Sequence, residues 1–155
     1  VFENHSKSLI FQLFLRKKSR FRGFFNSFFF YFSAWPNEDN TKALEKMTLR
    51  VEHITSLLAS SKKGQSDNFM CGNYGIGGHY GTHPDYYRYD TPLKEYANIN
   101  RVSTVMTVLD APEAGGATVW PFLGVNVFPE KGSAVWWFNT KSDSVPDVET
   151  KHAGM

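Results

Sequence analysis

Along the chain the apolar residues first crowd together, then recur in a helical rhythm, and finally alternate. Two dense islands, Leu9-Ile10-Phe11-Gln12-Leu13-Phe14-Leu15 and Phe24 to Trp35, flank the basic stretch Arg16-Lys17-Lys18-Ser19-Arg20-Phe21-Arg22. Neither reaches the roughly 18 uninterrupted apolar residues that a bilayer span requires. A secretory leader carries its basic residues ahead of the apolar run and a small-residue cleavage site behind it; here the basic residues follow, and such a site is absent. With ten Phe among residues 1–32, the segment reads as a partial, alternative or mistranslated start, with a targeting or anchoring segment as the other reading.

From residue 33 the composition becomes ordinary. Asn37-Glu38-Asp39-Asn40 supplies capping side chains, after which Leu44, Met47, Val51, Ile54, Leu57 and Leu58 recur at three- and four-residue steps. This predicts an amphipathic helix of about five turns ending near Ser60, followed by a polar, flexible Ser60-Ser61-Lys62-Lys63-Gly64 hand-over. Phe69 to Asp90 holds Gly72, Gly75, Gly77, Gly78 and Gly81. At about 1 kcal/mol per glycine a helix there is disfavoured, and strand with tight turns fits. Val102 to Leu109 alternates and is rich in β-branched residues, Ala117-Thr118-Val119-Trp120 follows a Gly115-Gly116 turn, and Gly132 to Phe138 reads as a buried strand. One helix against many short strands predicts a mainly β fold, a sandwich or barrel with helical support.

Composition narrows the function classes. The 155 residues carry 17 basic against 15 acidic side chains, 41% hydrophobic and 16% aromatic residues, and one cysteine. A single domain with a sizeable core is within reach. The near-neutral balance provides no electrostatic footprint for nucleic acid or an anionic membrane, and Cys71 alone cannot build a disulfide framework.

Candidate chemistry gathers where the glycines are. In Gly81-Thr82-His83-Pro84-Asp85 the His83 and Asp85 side chains are two residues apart, so on a strand they share a face about 6.6 Å apart along it. Both can reach one ion. His152, 69 residues beyond His83, would join them from another strand. Two imidazoles and one carboxylate form the facial set of non-haem Fe(II) oxygenases, with positions left open for oxidant and cosubstrate. By itself a His-x-Asp pair more often reflects a packed or solvated histidine. A zinc-protease pairing of His79 with His83 needs a helix that the glycines oppose, and Tyr80 stands where its glutamate belongs. His5 and His53 read as surface residues, and Cys71 has no argument as a nucleophile beyond its thiol.

Four blocks occur in order: Tyr74-Gly75-Ile76-Gly77-Gly78-His79-Tyr80-Gly81-Thr82-His83-Pro84-Asp85-Tyr86, Gly115-Gly116-Ala117-Thr118-Val119-Trp120-Pro121, Lys131 to Asn139, and Thr150-Lys151-His152-Ala153. Together they resemble the catalytic domain of collagen prolyl 4-hydroxylase α subunits. Ser33-Ala34-Trp35 and the helix around Leu49 to Thr55 extend the likeness, which spans residues 33–153; residues 33–155 are read as a partial catalytic domain and residues 1–32 as lying outside it. The resemblance implies a double-stranded β-helix, or jelly roll, incomplete at its C-terminus, that binds Fe(II) and 2-oxoglutarate. It implies oxidative decarboxylation of 2-oxoglutarate to succinate and CO2, coupled to hydroxylation at C4 of a peptidyl proline, with L-ascorbate rescuing oxidised iron. By position, His83, Asp85 and His152 are the implied iron ligands. Tyr80 is a candidate catalytic residue that could stack on the proline ring, and Tyr74 and Thr118 are candidate cofactor-binding residues. The implied partners are a proline-rich, collagen-like peptide and protein disulfide isomerase as a β subunit, in the endoplasmic reticulum lumen.

Two departures from the family pattern matter. Its 2-oxoglutarate-anchoring lysine lies about ten residues after the last histidine, and Lys151, on the opposite face, cannot stand in for it. The resulting expectations are low activity and an open sheet edge. Pro84 replaces an aromatic residue and needs a site where no ladder donor is required. The alternative readings are an inactive jelly-roll fragment that binds a peptide or partner subunit, and a relative of lysyl or oxygen-sensing prolyl hydroxylases.

Overall fold

A computed structural model of the chain describes residues 8–16, 31–36, 41–75, 77–87, 100–143 and 145–155, with backbone course alone for 8–16 and 31–33. The expected caps Asn37 to Asn40, His5 and most of the second apolar island lie outside the described residues. Among the described residues there are one α-helix, α1 (Lys42–Thr55), and nine strands: β1 (Ser8–Arg16), β2 (Tyr31–Ala34), β3 (Met70–Tyr74), β4 (Tyr80–His83), β5 (Arg101–Asp110), β6 (Thr118–Trp120), β7 (Val125–Val127), β8 (Ala134–Phe138) and β9 (His152–Gly154). They form two antiparallel sheets, a five-stranded one in the order β2-β3-β1-β5-β8 and a four-stranded one in the order β4-β9-β6-β7. The architecture is mainly β and jelly-roll-like, without a closed barrel.

The helix is shorter than its sequence pattern. Thr41 caps it, Oγ1 accepting from Leu44 N at 3.3 Å, and Ser56 ends it in the left-handed region at φ 55°. Thr55 Oγ1 donates back to Val51 O at 2.7 Å and accepts from Leu57 N at 3.2 Å, so the polar hydroxyl takes over where the helix stops. The buried face is Leu44, Thr48, Val51 and Thr55, which advance by four, three and four residues. Ile54 and Leu58, expected inside, are exposed: the stripe is rotated away from Ile54, and Leu58 lies past the cap. Beyond it the hand-over is an ordered turn, with Gly64 N donating to Ser61 O and Gln65 N to Ser60 O, both at 3.0 Å.

Leu44, Val51, Ala59, Phe69 and Val105 form the core between α1 and the large sheet, with Met47, Leu57 and Cys71 packed against it. The other face of that sheet turns toward β4, β9 and β6. β1 occupies an interior position, antiparallel to β3 on one side and β5 on the other, with Phe11 opposite both Cys71 and Thr107 and Gln12 opposite both Met70 and Met106. No element was expected between β3 and β5; among the described residues the sheet stays open at its outer strands β2 and β8. β8 alternates instead of being buried throughout: Trp136 and Phe138 are exposed while Val135 and Trp137 are half-buried. Ahead of β6, Gly115 and Gly116 both have positive φ, and a Cβ on Gly116 would approach Pro112 Cγ to 2.8 Å. This turn requires glycine, and it sets the entry of β6 beneath the site.

Candidate metal centre

His83 and His152 face one another across the β4–β9 ladder, with ring centroids 4.5 Å apart. Such cross-strand pairs are the closest approach a sheet allows two side chains. Asp85 is not on the strand: β4 ends at His83, Pro84 follows where no ladder donor is needed, and a bend carries Asp85 back toward the rings. One ligand atom from each of the three lies within 4.8 Å of the others, and Asp85 and His152 are buried.

The bend is held from β5. Arg101 Nε donates to Asp67 Oδ2 at 2.8 Å, its Nη1 donates to the Asp85 carbonyl at 3.4 Å, and the guanidinium lies 4.9 Å from the centroid of the Tyr87 ring. Asn100 Oδ1 accepts from the backbone N–H groups of both Tyr87 and Arg101 at 2.9 Å.

The other ring nitrogens settle what the histidines offer. His83 Nδ1 faces Gly81 O at 2.8 Å and His152 Nδ1 faces Thr150 O at 3.1 Å. A carbonyl only accepts, so each Nδ1 carries a proton and each ring turns its Nε2 toward Asp85. The Nε2 atoms lie 3.5 Å (His83) and 3.7 Å (His152) from the Asp85 carboxylate oxygens. Burial pushes the Asp85 carboxyl up, but the hydrogen bond from His83, the charges of His152 and His83, and the Thr104 hydroxyl together outweigh it and hold the carboxyl below its ordinary range. Burial pulls His152 down, with His83 adding to the effect, against Asp85 and the Thr150 carbonyl. An ionised carboxylate beside a neutral imidazole is the protonation state a divalent ion needs.

A cavity between the sheets, lined by Met70, Gly72, Tyr74, Tyr80, His83, Met106, Thr118, His152 and Gly154, leaves about 20 Å³ of room, enough for a water or an ion. The donor set and this space fit an Fe(II)-class ion.

Comparison with known proteins now carries weight. No family model matches the chain. Over 123 residues it is 37% identical to "Prolyl 4-hydroxylase subunit alpha-2" of Caenorhabditis elegans and 35% identical to "Prolyl 4-hydroxylase subunit alpha-1" of Homo sapiens, each match covering 78% of this chain. This chain is homologous to prolyl 4-hydroxylase α subunits. It spans 22% of the length of either relative.

In this prolyl 4-hydroxylase homologue the sequence-derived residues fall around one cavity. Tyr80 stacks on the His83 ring, centroids 3.6 Å apart and planes 23° apart. Tyr74 lines the wall from β3, and Thr118 is buried on β6 with Oγ1 3.8 Å from Met106 Sδ. His79 and His53 are exposed and outside the cluster, and Lys151 Nζ lies 5.9 Å from the Phe122 ring centroid, away from the site. Cys71 is half-buried and burial pushes its thiol up, which disfavours a nucleophilic thiolate.

Four neighbours escaped the sequence reading. Trp120 and Trp137 enclose His152 with centroids at 5.8 and 4.9 Å. Thr104 and Asn139 stand behind Asp85. The two tryptophans sit in blocks already singled out, but only pairing of β6 and β8 into different sheets brings both to one imidazole.

Proposed function

We propose that the chain carries the metal-binding part of a procollagen-proline 4-dioxygenase that uses Fe(II) and 2-oxoglutarate and converts peptidyl proline to 4-hydroxyproline. The supporting observation is the convergence of His83, Asp85 and His152 within a homologue of prolyl 4-hydroxylase α subunits. When bound, iron with 2-oxoglutarate would supply the oxidising chemistry, giving succinate and CO2, with L-ascorbate returning oxidised iron to the ferrous state.

The chain's own residues have separable tasks. His83 and His152 would present Nε2 to the ion, and Asp85 one carboxylate oxygen. Tyr80, stacked on His83, fixes that ring and offers its other face to a proline-rich peptide. Tyr74 and Thr118 line the wall against which the cosubstrate would lie, and the two tryptophans keep water from His152. The full-length protein would act on collagen-like chains in the endoplasmic reticulum lumen with protein disulfide isomerase as partner. Among the described residues no helix is long and apolar enough to cross a membrane.

The test uses the chain with Fe(II), 2-oxoglutarate, ascorbate and a Pro-Pro-Gly repeat peptide. Expected are iron affinity that tightens with 2-oxoglutarate, and slow succinate release that the peptide accelerates. In His83→Ala both disappear while the far-ultraviolet circular dichroism is retained. Iron bound without succinate release would instead identify a binding fragment.

A further inference from the structure

Behind the ligand carboxylate runs a short chain of buried hydrogen bonds. Thr104 Oγ1 donates to Asp85 Oδ2 at 2.7 Å, and Asn139 Nδ2 donates to Thr104 Oγ1 at 2.8 Å. Thr104 and Asn139 have no exposed surface, and Asp85 retains 4%. The imidazoles come from the four-stranded sheet, whereas this chain comes from the five-stranded one: Thr104 from the middle of β5, Asn139 from the residue after β8.

The direction of the chain is fixed by chemistry. An ionised carboxylate only accepts, so the Thr104 proton must point at Asp85. The Asn139 amide must then turn its NH2 toward the Thr104 oxygen, since its carbonyl would meet a lone pair. Asn139 itself is held by its backbone, its N–H donating to Val102 O at 2.8 Å and its carbonyl accepting from Asp147 N at 2.9 Å.

We propose that Asn139 and Thr104 are positioning residues that clamp Asp85 Oδ2, so that Asp85 offers a metal ion a single oxygen, Oδ1, on the side facing His83. Oδ1 lies 3.5 Å from His83 Nε2. A hydroxyl donor at 2.7 Å prevents the carboxylate from rotating to chelate with both oxygens, which would fill a coordination position that substrate chemistry needs open. The inference rests on the metal site assigned above, not on the hydroxylation reaction.

Two substitutions of Thr104 separate positioning from packing. Thr104→Val keeps the branched shape and loses the hydroxyl, whereas Thr104→Ser keeps the hydroxyl and loses the methyl. Calorimetric titration of the metal-free chain with Mn(II) reads the site without turnover. The expected result is a 10- to 100-fold weaker Kd in Thr104→Val, the range found when partners behind metal ligands are removed, and a Kd within threefold of the parent in Thr104→Ser. The visible absorption of the Co(II)-loaded protein should change in Thr104→Val and not in Thr104→Ser. Parent-like Mn(II) affinity in a folded Thr104→Val, or weaker binding in Thr104→Ser than in Thr104→Val, overturns the clamp. If Thr104→Val does not fold, Thr104→Ser decides alone: a parent-like Kd and Co(II) spectrum support the clamp, and a tenfold loss overturns it. A parent chain that binds no Mn(II) overturns the clamp together with the metal site. Mn(II) binding without succinate release counts against the hydroxylase reading only.

Discussion

At the scale of single residues, the site is tuned by atoms that would never touch a metal. Backbone carbonyls of Gly81 and Thr150 choose the histidine tautomers, and burial keeps His152 neutral. Its folded pKa lies below the ordinary 6.5, so as pH falls below that value the unfolded chain takes up a proton that the folded site resists. Stability is therefore full above about pH 7 and declines on acidification. Asp85, held below its ordinary 3.8, adds a loss of the same sign only near that pH. The denaturant midpoint of the metal-free chain is expected to fall between pH 6.5 and 5, with a shallower fall in His152→Gln. A midpoint flat down to pH 5 in the parent would contradict the burial argument.

Elements explain why some of this was legible and some not. The strands β5 and β6 follow from β-branched runs and glycine turns, and the iron-type trio follows from a two-residue spacing plus a familiar order of blocks. β1 was not legible. The apolar run Leu9 to Leu15, broken only by Gln12, shows no clear alternation, and such a run cannot be told from a short helical segment by pattern. Thr104 and Asn139 are ordinary residues in local sequence, and only the pairing of β5 with β8 brings them together. The helix face was misjudged because buried threonines, not Ile54, continue it. The register of β1 has a direct check. Phe11 and Cys71 are antiparallel partners, whose Cα atoms are typically about 4.5–5.5 Å apart, within disulfide range. Because Cys71 is the only cysteine in the chain, Phe11→Cys should form one internal disulfide under mild oxidation, seen as a linked peptide pair by mass spectrometry. Failure to cross-link in the folded protein would remove β1 from its place beside β3.

Across the whole molecule the candidate centre ties two sheets together. The imidazoles belong to one sheet, and the carboxylate is gripped by the other through Thr104. An ion bound there would add to global stability, by about 2.7 kcal/mol at a free concentration near one hundred times its Kd. Mn(II) at that ratio should raise the denaturant midpoint accordingly, chelator should reverse the shift, and Asp85→Ala should show none of it. β1 also bears on how the chain is made. Its partners in β3 and β5 are translated about sixty to one hundred positions after it. A greasy ribbon with both edges bare must wait for them, so folding should be slow and dominated by distant contacts. During that wait the nascent protein is most exposed to aggregation, and chaperone demand should concentrate there.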